Sequence, residues 1–198
     1  MMTFRKFKTL MQAEFARDEK GSASIEAVIM IPLMFFVMIC VVTLLDLTRL
    51  HGMHQKAAYT ISDMISRETL AIDADYLAGS HALLNTLTRD PQDSTVRVSV
   101  VRYDATNNIF KLDWSKTSGY ATPVSNHDVR NWTTKLPKMV HNERMIVVET
   151  NAIYQPPFQI GLGNQEIDNF IFTRPRYAPQ VLWTDEPSSE EYEGDNYS

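Results

Sequence analysis

A chain of 198 residues has room for one compact domain plus an appendage. Apolar residues make up 44% and charged residues 22%, so the chain as a whole is not a disordered polymer. Its single cysteine excludes an intrachain disulfide framework or a multi-cysteine metal site, and a net charge of −5 argues against a nucleic-acid partner.

Near the N-terminus the average composition gives way to a local extreme. From Ala27 to Leu45 the sequence reads AVIMIPLMFFVMICVVTLL, nineteen residues with no charge and one hydroxyl, Thr43. As a helix this run extends roughly 28 Å, close to the hydrocarbon thickness of a bilayer, about 30 Å. No second run of this kind follows, so a single crossing is expected, with lipid as the partner of this segment. Arg5, Lys6, Lys8, Arg17 and Lys20 precede the run, against Arg49, Lys56 and Arg67 after it. That bias places the N-terminus in the cytoplasm and the later residues outside it. The run exceeds the apolar core of a cleaved secretory signal, and bulky, charged residues follow it, so it is expected to remain as an anchor.

The junction before the run reads Arg17-Asp18-Glu19-Lys20-Gly21-Ser22-Ala23-Ser24-Ile25-Glu26. Gly21 follows a basic residue and precedes small ones. Glu26 stands at the lip of the apolar segment, where a carboxylate is costly if drawn into lipid. Read from position alone, Glu26 stabilises the first turn of its helix through the macrodipole. Pro32, inside the run, removes a backbone donor and crowds the preceding turn, so a kink or local break near Val28–Pro32 is expected. Met30, Met34 and Met38 recur every four residues on one face, available either to neighbouring helices or to lipid.

Taken together, the basic leader, Gly21, the small residues, Glu26 and the long apolar helix resemble the class III signal of type IV pilin-like proteins. The segment DEKGSASIEAVIMIPLMFFVMICVVTLLDLTRL, with Gly21, Glu26, Ala27 and Pro32 on the pattern, resembles the N-terminal part of the TadE-like proteins of tight-adherence (Flp) pilus systems. The likeness covers roughly residues 15–70. It implies a minor pseudopilin or assembly factor in the inner membrane, with its C-terminal domain periplasmic or extracellular. A prepilin peptidase would cut between Gly21 and Ser22. Glu26, then the fifth residue, would pair with the freed ammonium of a neighbouring subunit. The other partners implied are pilus or pseudopilin subunits, met through the N-terminal helix. Small Flp pilins carry an aromatic residue where this chain has Ala27, and they are much shorter. The second reading is a generic single-pass protein with an extracytoplasmic binding or sensor domain, which needs no cleavage after Gly21.

Beyond the membrane run, Leu47, Leu50, His54, Ala57, Ile61, Met64 and Ile65 keep a three- and four-residue spacing. One helix over about Ser24 to Arg67 is therefore expected, emerging as an amphipathic stalk. A second helix follows over Asp73–Thr88, with Asp73 or Asp75 at its cap. After it the period changes to two. Val96, Val98 and Val100, the turn Asp104–Asn108, and Phe110, Leu112 and Trp114 make a hairpin. A short helix is expected around Asp128–Lys135 and a strand over Arg144–Tyr154. Gly161-Leu162-Gly163 reads as a loop, and Asn169–Arg174 and Gln180–Trp183 as weaker strands. The expected fold is α+β: a leader over 1–21, membrane helix and stalk over 22–69, a domain with an antiparallel sheet over 70–183, and an acidic disordered tail over 184–198. That tail holds six acids and no base.

No catalytic constellation is visible: GxSxG, GxxxxGK[ST] and HExxH are all missing. Cys40 lies within the membrane run. His51 and His54 stand three apart and read as surface residues rather than metal ligands. The expectation is a structural protein with no catalytic residue, cofactor or metal.

Overall fold

A computed structural model of the chain describes residues 20–89, 94–119, 122–158 and 160–186. The leader cations Arg5, Lys6, Lys8 and Arg17 and the acidic tail beyond Glu186 lie outside these residues. The protein is α+β, with one long apolar N-terminal helix and a small four-stranded antiparallel sheet.

Helix α1 (Lys20–Ser66) contains Pro32, and helical structure continues on both sides of it. The chain divides into two compact units. Among the described residues, one takes those from Lys20 to Asp46 together with Pro157–Gly161, and the other takes those from Leu47 to Pro156 and from Leu162 to Glu186.

In the second unit the elements after α1 are α2 (Ala74–Thr88), β1 (Thr95–Asp104), β2 (Ile109–Ser118), α3 (Asn126–Arg130) with a 3-10 turn (Asn131–Thr134), β3 (Arg144–Tyr154) and β4 (Gln165–Thr173). The strands lie in the order β2-β1-β3-β4, each antiparallel to its neighbour. The period-two patterns explain the layering, because alternate side chains of a strand face opposite sides. Val96, Val98, Val100, Ile146 and Val148 pack with Ala57, Ile61 and Ile65 of α1 and Leu77 and Leu84 of α2. Val101, Tyr103, Met145 and Val147 pack instead with Val124, Val129, Trp132, Leu136 and Met139 from the β2–β3 connection. The sheet is thus covered on one side by helices and on the other by that connection.

Local signals set the ends of these elements. Asp73 is the N-cap of α2, accepting a hydrogen bond from the Tyr76 amide at 2.8 Å. Ser125 and Asp128 form a reciprocal capping box on α3. At the β1–β2 turn the Asp104 carboxylate accepts from the Thr106 amide at 3.1 Å and from Lys111 Nζ at 2.7 Å, and Asn108 takes the left-handed conformation at φ +53°. Gly119 closes β2 at φ +89°, where an added Cβ would meet Thr95 Cγ2 at 2.7 Å. Any side chain there is strained by the positive φ and crowded by Thr95.

Four expectations are corrected. The distal half of α1 is part of the domain core, whereas a stalk was expected through residue 69. Ala57, Ile61 and Ile65 are 0–2% exposed, because the strands present a matching apolar face to their stripe. His54, expected at the surface, is buried because it occupies a position of that same stripe; His51, three residues earlier, is exposed. Trp114 does not share a face with Phe110 and Leu112. A bulge pairs Val100 with Trp114 and Val101 with Leu112, leaving Asp113 without a register partner and turning Trp114 to the helix side. Lastly, Gln180–Trp183 adds no strand to the sheet. It makes a single parallel bridge, Ile72 to Trp183, on the α1–α2 connection.

Candidate functional site

The apolar part of α1 presents the strongest functional feature. Fifteen large apolar side chains between Ile25 and Leu45 are exposed, from 46% at Val42 to 71% at Met34. They occur on every side of the helix, so no polar stripe is left for water. Covering half-exposed side chains of this size gains about 1 kcal/mol each, or on the order of 15 kcal/mol for the set. That rivals the whole folding stability of an ordinary domain, about 5–15 kcal/mol. The helix is long and apolar enough to cross a membrane. Its hydroxyl is accommodated within the helix: Thr43 is buried and donates to the Ile39 carbonyl at 2.8 Å.

At the N-terminal lip, α1 begins at Lys20, so Gly21 and Ser22 lie in its first turn and Glu26 almost two turns in. The first turn contains no acidic residue. Glu26 is exposed, and the residues three and four positions on, Ile29 at 66% and Met30 at 50%, are exposed apolar side chains of the same helix surface. Met30, Met34 and Met38 are all exposed, at 50%, 71% and 62%. Cys40 is a half-buried free thiol.

Elsewhere the polar clusters fasten the fold. His81 of α2 holds the sheet through two contacts, Nδ1 to Ser118 Oγ at 2.7 Å and Nε2 to the Ser94 carbonyl. A carbonyl only accepts, so Nε2 carries the proton in the neutral ring and the Ser118 hydroxyl donates to Nδ1. Sequence reasoning missed this link, and no pattern marks it, because its partners lie 37 and 13 residues away. Lys116 lies over the Trp183 ring, 4.7 Å from its centroid, and pairs with Asp185 at 3.0 Å. Asp113, freed by the bulge, pairs with Arg144 at 2.7 Å and Arg102 at 3.5 Å. Among the described residues, no group of three or more His, Cys, Asp or Glu side chains is placed to hold a metal ion.

The Lys111 ammonium and the Asn107 amide hold the Asp104 carboxyl well below the usual carboxylate range. An acid shifted this way stabilises the fold above its ordinary value, about pH 3.9, and loses that contribution as pH falls toward its folded value. Asp104→Asn is therefore expected to lower the melting temperature at pH 7 and to leave a shallower decline below pH 4 than in the parent. Thermal unfolding of the two full chains in detergent across that range measures the difference. Asp128 and Asp185, lowered by Ser125 and Trp183 respectively, keep the same sign in both proteins.

The molecule thus combines an uncovered apolar helix, a carboxylate at that helix's lip and a small α+β domain. Comparison with protein-family models, with curated proteins and with solved structures found no match.

Proposed function

We propose that this chain is a minor pseudopilin or assembly factor of a Tad/Flp-type pilus, held in the inner membrane by α1 and matured by a prepilin peptidase between Gly21 and Ser22. The observation that carries this reading is Glu26, an exposed carboxylate at the lip of an apolar helix whose neighbouring side chains are bare. A lone carboxylate beside lipid is costly, and a cation from a neighbouring subunit offsets that cost. Cleavage before Ser22 creates such a cation, the new terminal ammonium. The same cut makes Glu26 the fifth residue of the shortened helix. Gly21 suits the cut physically: glycine in a helix is about 1 kcal/mol less favourable than alanine, so the first turn opens readily into an extended substrate.

The orientation places the leader in the cytoplasm, where the peptidase acts, and the sheet domain outside. A reporter enzyme fused after Ser198 is expected to be active only on the extracytoplasmic side. Activity confined to the cytoplasm would reverse the topology and remove the peptidase's access to Gly21.

A further inference from the structure

We infer that the β3–β4 loop is a second membrane-contacting element, with Pro157, Phe158 and Ile160 seated at the boundary between lipid headgroups and acyl chains. This rests on the reading that α1 crosses the bilayer. Three observations point to it.

The first is composition. The eleven residues Gln155–Gln165 carry no charge, whereas Asp104 anchors the β1–β2 turn and Asp128 and Arg130 lie in the β2–β3 connection. A charge-free loop enters the interface without the desolvation penalty that an ionised side chain meets in lipid.

The second is placement. Pro157–Gly161 belongs to the compact unit of the apolar helix, not to the sheet unit from which the two strands extend. Within that unit, among the described residues, Ile39 and Cys40 are half-buried and Thr43 is buried, while the other α1 residues from Ser24 to Asp46 are exposed. These three share one helix face. They lie near the end of the run at Leu45, which is the depth of the interface.

The third is the loop's own chemistry. Pro156 and Pro157 have no amide hydrogen, so two backbone donors that water would otherwise have to satisfy do not exist. The Ile160 amide donates to the Phe158 carbonyl at 3.0 Å, and Gly161 reverses the chain at φ +88°. Phe158 stays 46% exposed, leaving part of its ring for lipid. Aromatic and aliphatic side chains on a backbone with few unmet polar groups suit the headgroup–acyl boundary.

The test uses the full chain with Cys40→Ala, reconstituted in phosphatidylcholine vesicles. An environment-sensitive fluorophore is attached at Phe158→Cys, with Ile160→Cys as a second site in case the first disturbs folding. A loss of emission to lipids brominated near the headgroup, with little loss to aqueous iodide, is the result expected. Quenching by iodide would put the loop in water and overturn the inference. Protection from both quenchers would mean that protein, such as a neighbouring subunit's helix, covers the loop, and would overturn it equally. The same label at Met34→Cys reports on the span alone. If lipids brominated deep in the acyl chains quench it, α1 crosses the bilayer whatever the loop does; if they do not, the membrane reading itself fails.

Discussion

Glu26→Gln is expected to leave membrane insertion and leader cleavage intact while pilus formation falls sharply. Glutamine keeps the shape of the side chain and removes its charge, so the comparison isolates the ion pair from packing. If Glu26 acted only on its own helix start, the cost would be a few tenths to about 1 kcal/mol and assembly would continue. At a site flanked by bare apolar side chains the field of a neighbouring ammonium is weakly screened, and losing one partner leaves the other uncompensated. The measurement is pilus yield in cells where deletion of the chain abolishes pili, alongside membrane fractionation and the mass of the processed protein. Normal pilus yield with Glu26→Gln would remove the assembly role of this residue.

Ile61→Ala is expected to destabilise the sheet domain by about 2–5 kcal/mol, the range for removing a fully buried aliphatic side chain. Ile61 is completely buried among Val96, Val98, Ile65 and Leu84. A loss of that size is a large part of the stability of a small domain. Tyr59→Ala, at a position 55% exposed on the same helix, is expected to cost far less. Denaturant unfolding of the full chain in detergent, followed by tryptophan fluorescence, compares the two. Equal and negligible effects would mean that the distal half of α1 is a free stalk after all.

That contrast marks how far the sequence could be read. The strand β3 was legible to the residue, since Arg144–Tyr154 combines an apolar period of two with the break at Pro156-Pro157. The cap at Asp73 and the turn at Asp104 were legible too, because short polar side chains act on backbone groups only two or three residues away. What escaped were consequences of pairing. The bulge opposite Val100 and Val101 follows from how β2 registers on β1, and no residue near Trp114 announces it. A three- and four-residue stripe identifies a helix face but not what covers it, so Ala57, Ile61 and Ile65 suited a stalk and a domain core equally. His54 illustrates the same limit, as its residue type suggested the surface while its position on the stripe led to burial.

The junction residues rest on the sequence. Gly21, Ser22 and Glu26 were singled out by the resemblance of their junction to pilin-like signals, and the chemistry proposed for them is local to a short stretch of chain. The structure adds their setting: a helix that already includes the junction, and an apolar surface with no polar stripe. The His81 link between α2 and the sheet, by contrast, depends entirely on long-range folding.

The central claim is maturation at the junction, and the mass of the intact protein isolated from membranes of a strain with a working prepilin peptidase tests it most directly. The account predicts a chain beginning at Ser22, with the full leader retained when the peptidase is deleted or Gly21 is replaced by a bulky residue. A protein that still carries Met1 or Met2 in the working strain would contradict it.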